Sequence, residues 1–363
     1  MKSTKVYLQY PWKFPDSPYY KYLIDNPPKR IKYLNIETQT GVITNKWKFL
    51  FSNSLKRTIR DTLNFLNLHI VNAHKSPEGD YDLIHCAHCL SKNSNKPWIL
   101  DVEGVWQFYI GKKTKSSKKK VRGILLEKNC KKILPWTEST AKEIIKEFPE
   151  IKDKVEVIYP AVPLPKIKKV KRKEINLLFV GRYFYAKGGF HALEVMDKLT
   201  KKHSNVKGII VSEVPEEIKK NYSENKKIKF FGLMPQKDLM ELYLNSDILI
   251  YPGYSDSFGF AYLEAMSFGI PIMTVDGFAR KEIIKEGKTG FVFGRPSEIN
   301  PNKIGHNEQK LISQILTKTE QLIKNKNLRE KISQNGIEEI KNGKFSIKER
   351  NKKLKRIYLE ILG

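Results

Sequence analysis

Short runs dense in Val, Ile, Leu and aromatic residues alternate along nearly the whole chain with segments whose apolar positions recur every three or four residues. That alternation is the pattern of parallel strands joined by crossover helices. In the first half the strand-like runs are KVYLQ (5–9), IKYLNI (31–36), DLIHC (82–86), WILDV (98–102), KKILP (131–135) and VEVIY (155–159). Helical periodicity lies between several of them, over Ser54–Asn67 and Ser139–Phe148, with Ser54 and Ser139 in position to accept the first free amides as N-caps.

After VEVIY comes PAVPLPKIKKVKRK, three prolines in six residues and then a basic run. Proline fixes φ and removes a donor, so the segment predicts a linker. A second alternation then begins: NLLFV, a helix from about Gly189, VKGIIV, a further helix, IKFF, the helix QKDLMELYLNS, DILIYP, PIMTV and TGFVF. Beyond Asn307 only helical periodicity remains, and in the last helix Ile347, Leu354, Ile357, Tyr358 and Ile361 share a face. The pattern predicts two doubly wound α/β domains in tandem: residues 1–160, a Pro/Lys-rich linker 161–174, residues 175–343, and a terminal helix 344–363.

A length of 363 residues agrees with two cores, since single cores stop growing at around 250–300 residues. No run of about 18 apolar residues occurs, and MKSTKVYLQYPWKFP enters a strand-like segment with no signal-like apolar stretch, so the chain is expected in the cytoplasm. Three cysteines, Cys86, Cys89 and Cys130, are too few for a disulfide framework. Sixty-seven Lys and Arg against 39 Asp and Glu give a net charge of +28, a field that draws anions without choosing among them. Much of the excess is local, in KKTKSSKKK (112–120) and KIKKVKRK (166–173).

The stretch SDSFGFAYLEAMSFGIP (255–271) follows the strand DILIYP, at the sheet end where open α/β sheets bind ligands. With Ser257 or Asp256 as cap, a helix through Leu263 and Met266 to Gly269 offers the amides of Phe258 and Gly259 to an anion. Glu264 lies two turns in, where a carboxylate needs donors, and a vicinal diol supplies two. The ligand this describes is a nucleoside diphosphate carrying a sugar: phosphate at the helix start, ribose on Glu264, and Asp256 facing what lies beyond the phosphate. In NLLFVGRYFYAKGGF, Gly181 and Arg182 directly follow a strand and Lys187 comes five residues later, two cations suited to a diphosphate leaving group.

Taken in order, FVGRYFYAKGG, IKFFGLMPQKDLMELYLNSDILIYP, SDSFGFAYLEAMSFGIPIM and EIIKEGKTGFVF resemble the motifs of the retaining family 4 glycosyltransferases of the GT-B fold, over roughly Lys131 to the C-terminus. The resemblance implies two Rossmann-like domains facing a cleft, a nucleotide-sugar donor such as a UDP- or GDP-sugar held by the second, an acceptor held by the first, and a terminal helix returning to the first. It puts the family's two glutamates on Asp256 and Glu264 and its phosphate-binding pair on Arg182 and Lys187, which makes Asp256, Arg182 and Lys187 the catalytic set and Gly181, Phe258, Gly259 and Glu264 the donor-binding set. No metal is implied, because cations and helix amides neutralise the phosphates. Three departures stand out: the first acidic residue is Asp256, a methylene shorter; PWKFPDSPYY (11–20) replaces the usual glycine-rich loop; and WILDVEG carries Asp101 and Glu103 where a histidine is usual.

Other readings rest on other residues. HCAHC (85–89) packs two His and two Cys together, but strand alternation sends neighbours to opposite faces, against a tetrahedral metal site. An epimerase on the same fold fits the ordered motifs less well. A catalytically silent relative would be a basic protein binding nucleic acid or a membrane surface, although neither basic run is interleaved with aromatics. The run Lys112–Lys120 reads as a solvated loop, or, with Trp106, Phe108 and Tyr109 beside it, as an attachment to an anionic cytoplasmic membrane face near a lipid-linked acceptor.

Overall fold

The computed structural model describes residues 3–10, 18–37, 46–66, 68, 70–167, 169, 172–299 and 306–363. Most of the glycine-free stretch singled out above, residues 11–17, lies outside them. The chain forms two compact units, one made of residues 1–161 together with Ile347–Gly363, the other of Val162–Ser346.

The first unit contains, in order, β1 (Thr4–Gln9), α1 (Pro18–Asp25), β2 (Ile31–Leu34), α2 (Lys46–Phe65), β3 (Ala73–Lys75), β4 (Leu83–Ala87), β5 (Leu90–Lys92), β6 (Trp98–Val102), α3 (Lys115–Leu126), β7 (Cys130–Pro135) and α4 (Glu138–Glu147). Five strands form a parallel sheet in the order β2-β1-β4-β6-β7, with β3 and β5 paired separately. Along β4 and β6 the pleat sends Ile84, Cys86, Trp98 and Leu100 into one apolar core with Val121 and Leu125 of α3 and Ile144 of α4.

The second unit runs β8 (Ile175–Val180), α5 (Gly189–Lys202), β9 (Val206–Val211), α6 (Glu216–Asn221), β10 (Ile228–Phe231), α7 (Gln236–Leu244), β11 (Ile248–Ile250), α8 (Phe260–Ser267), β12 (Ile272–Val275), α9 (Arg280–Ile283), β13 (Gly290–Phe293), α10 (His306–Lys324) and α11 (Lys326–Lys341). Its six parallel strands take the order β10-β9-β8-β11-β12-β13. Strand order reverses between β8 and β11, and the gap between loops that leave such a pair is where these sheets receive ligands. The last helix, α12 (Ile347–Leu362), belongs to the first unit. There Leu354, Ile357 and Tyr358 are buried, and Arg350 donates to the Asn26 carbonyl at 2.7 Å.

Several local expectations are corrected. VEVIY is not a strand: only Val155 bridges Ile133, with Glu156 and Ile158 amides reaching carbonyls of β7 before Pro160 ends the pairing. Ser54 lies inside α2, which begins eight residues earlier at Lys46. The cap of α4 is Thr137, whose hydroxyl accepts from the Thr140 amide at 3.0 Å, so Ser139 is already helical. The lysine run is no simple loop, for from Lys115 onward it is α3, opened by a capping box between Thr114 and Ser117.

Candidate functional site

The loops after β8 and β11 are the two the sequence singled out, and they are joined. The Gly253 amide donates to the Lys187 carbonyl at 2.9 Å and the Ser255 amide to the Ala186 carbonyl at 3.2 Å. Close approach is set by Gly188, whose φ of 80° is left-handed and whose missing Cβ would stand 2.5 Å from Pro252. Gly181 starts the first loop, its amide bonded to the Val211 carbonyl at 3.0 Å. Arg182 follows it, half-buried.

Through this junction Lys187 and Asp256 meet as an ion pair, their side chains 15% and 17% exposed. Asp256 also accepts from the Tyr251 hydroxyl. Burial first, and then the charge of Asp256, raise the Tyr251 pKa well above its ordinary value, so Tyr251 remains a donor. Arg280, 1% exposed, donates through its two terminal nitrogens to the carbonyls of Asp256 and Gly253 and so holds the loop from behind. Sequence reading missed both Tyr251 and Arg280. The available signal for Arg280 was a cation five residues past the strand PIMTV, on the segment leaving a strand end as Arg182 is.

The helix after Asp256 starts later than expected. Its N-cap is Gly259 at φ 87°, with no side-chain cap, and α8 begins at Phe260. Left-handed backbone interrupts the helical path, so Ser257 and Asp256 do not cap it, and the buried Phe258 lies outside the first turn. The helix-start amides are therefore those of Phe260 and Ala261 rather than of Phe258 and Gly259. A side chain on Gly259 would come within 2.6 Å of the Tyr262 ring. At its other end α8 closes as the sequence suggests: Gly269, at φ 63°, donates to Met266 and Ile270 to Ala265, each at 2.9 Å. Glu264 faces α7, where Gln236 donates to its Oε1 at 3.0 Å, and the residue is 7% exposed.

In the first unit, alternation splits HCAHC as anticipated. Cys86 turns to the apolar core, while His85 turns to the opposite face, Nε2 lying 2.8 Å from Asp101 Oδ2 and Nδ1 2.7 Å from the Tyr358 hydroxyl of α12. His88 takes a left-handed φ of 59° at the end of β4, between the rings of Tyr20 and Trp136, and burial pushes its pKa down to about 4. Asp101 is thus an internal partner of His85, and Glu103, next to the strand end, accepts through its carbonyl from Thr140 at 2.9 Å. Of the aromatics beside the lysine run, Phe108 is buried and Tyr109 donates to Glu147 at 2.9 Å, leaving Trp106 exposed.

Residues 164–339 match the family model described as glycosyl transferases group 1. An uncharacterized 41.2 kDa protein in the cps region of Klebsiella pneumoniae is 32% identical over 39% of this chain and 42% of its own length. The chain spans about half, or less, of the curated relatives it matches. In structure it is similar to a glycosyltransferase from Rickettsia africae (18% identity, TM-score 0.67, 99% of each chain) and to Anabaena HepE in complex with UDP (13% identity, TM-score 0.61, 98% of this chain and 100% of that one). At those identities the likeness fixes the fold, which is GT-B.

Proposed function

We propose, from the premise that the second unit is a glycosyl transferases group 1 domain, that the protein moves a sugar from a nucleoside diphosphate to an acceptor hydroxyl with retention of anomeric configuration. The observation that carries this reading is the joining of two loops at the reversal of strand order, which puts Lys187 beside Asp256 in the loop before α8, with Glu264 one turn inside that helix. The Lys187 ammonium has three donors and can hold Asp256 and a phosphate oxygen at once. Arg182, two residues past the end of β8 and directly after Gly181, supplies the second cation. As the bond from the anomeric carbon to the phosphate oxygen breaks, charge grows on the diphosphate, and these cations with the α8 amides stabilise it without a metal. The departing phosphate oxygen takes the acceptor proton as the new glycosidic bond forms on the same face. Asp256, fixed by Tyr251 and Arg280, faces the donor sugar, and Glu264 accepts the ribose hydroxyls beside Gln236.

UDP in the HepE complex favours a uridine donor, the likeness to the lipopolysaccharide glucosyltransferase WaaG of Escherichia coli favours a saccharide or lipid-linked acceptor, and the lysine run beside exposed Trp106 favours an acceptor at a membrane. Among the described residues no helix is long and apolar enough to cross a membrane. The test is incubation of the intact protein with a panel of UDP- and GDP-sugars. Slow hydrolysis of one donor, with release of its diphosphate, is expected. A protein that binds none of the nucleotides by calorimetry would be a silent relative instead.

A further inference from the structure

The end of α2 and the chain after it expose several apolar side chains within a few residues of one another. Phe65 is 88% exposed, Leu66 55%, Leu68 48% and Ile70 42%, and Trp106 is 61% exposed. The two segments are neighbours: the Ile110 amide donates to the Ile70 carbonyl at 3.0 Å, Val71 bridges Tyr109 in antiparallel pairing, and the Asn72 amide donates to Phe108 at 2.9 Å. Because this pairing is antiparallel, the chain beyond Ile110 runs back toward Leu68 and leads at once into exposed Lys112, Lys113 and Lys115. An apolar shelf is thereby rimmed by the basic run.

From this we infer that the shelf of Phe65, Leu66 and Leu68, with its lysine rim, seats the first unit on an anionic lipid bilayer. Aromatic and aliphatic side chains that stand in water gain by entering the headgroup boundary, and lysines beside them meet lipid phosphates. The charge also decides among occupants. A second copy placed on the same patch would set two lysine rims against each other, a juxtaposition that costs energy, whereas an anionic surface neutralises them. The inference gives a surface to the membrane-proximal acceptor proposed above and rests on that reading for its purpose, but the binding itself needs no donor chemistry.

Co-sedimentation of the full chain with vesicles of phosphatidylcholine alone, and with added phosphatidylglycerol, tests it. The intact protein is expected to partition at least about tenfold more strongly onto the anionic vesicles. The triple variant Phe65→Ser, Leu66→Ser, Leu68→Ser is expected to lose about tenfold in partitioning onto them. Changing Lys112 and Lys115 to Ser, and leaving Lys113 in its ion pair with Glu147, should erase the preference for anionic lipid. These positions are exposed, so thermal melting of both variants should match the intact chain, and their rate of donor hydrolysis in solution should be unchanged. The inference is overturned if the intact chain does not bind anionic vesicles, if the triple variant binds as well as the intact chain, or if sedimentation velocity shows a dimer that the triple variant dissolves. Vesicle binding lost with hydrolysis intact removes only this inference, and hydrolysis absent with vesicle binding intact removes only the enzymatic reading.

Discussion

Two pairs of a basic and an acidic side chain sit at strand-rich centres of this molecule, and they are built in opposite ways. Lys187 and Asp256 lie on loops, remain 15% and 17% exposed, and are held by backbone bonds between the loops and by Arg280 behind them. His85 and Asp101 lie within strands, are fully buried, and are sealed under Tyr358 of α12. A sealed pair is closed to solvent and so cannot meet a ligand, and it adds little net stability over an apolar packing. A pair at the surface of a ligand crevice keeps donors that a phosphate can claim. The comparison teaches that a carboxylate and a cation in contact mark a site only when their remaining hydrogen-bonding capacity faces outward.

The comparison breaks most sharply if the exposed pair proves inert. Lys187→Ala and Arg182→Ala are each expected to lower kcat by about a hundredfold to a thousandfold, the cost of removing one stabiliser of developing charge, with a smaller rise in donor KM. Steady-state kinetics with the donor found active decide the matter. A change confined to KM would make both residues anchors for the ground state.

Glu264→Gln comes next in size. Its Oε1 is already taken by Gln236, so the ribose reading relies on what remains of the carboxylate. The amide keeps the shape and loses the charge, and nucleotide affinity should fall by about 1.5–3 kcal/mol, the range for hydrogen bonds to charged groups. Calorimetry with the free nucleoside diphosphate measures it, and an unchanged affinity would remove Glu264 from the donor site.

How much of this was legible in the chain follows from the range of the interactions. The parallel sheets were, because buried strands write unbroken apolar runs such as NLLFV and DILIYP. Both site loops were, because a strand end, a glycine and a charge at fixed spacing are local features. The start of α8 was misread, since a left-handed Gly259 and an ordinary glycine look alike in sequence. Arg280 and Tyr251 escaped notice for another reason. Arg280 reaches carbonyls 24 and 27 residues back along the chain, a relation visible only after β11 and β12 are paired. In the same way Asp101, placed by resemblance where a histidine is usual, acquired its meaning only from the register that sets it on the face of His85 and from the return of α12.

The smallest effect sharpens the sealed side of the comparison. The Tyr358 hydroxyl lies 2.7 Å from His85 Nδ1 and 3.1 Å from the Tyr33 hydroxyl, and both partners are buried. Tyr358→Phe preserves the ring and its packing while leaving those groups without that partner. A buried polar group deprived of its hydrogen bond costs about 1–3 kcal/mol, and because the ring stays in place to keep water out and the polypeptide can relax locally, a loss of about 1.5 kcal/mol in unfolding free energy is expected. Urea denaturation should show a lower midpoint with an unchanged slope, since the surface exposed on unfolding is the same. Donor hydrolysis per folded molecule should be unaltered. If Tyr358→Phe instead lowers kcat at full stability, the buried His85–Asp101 pair acts in the reaction, and the division between an exposed working pair and a sealed structural one is wrong.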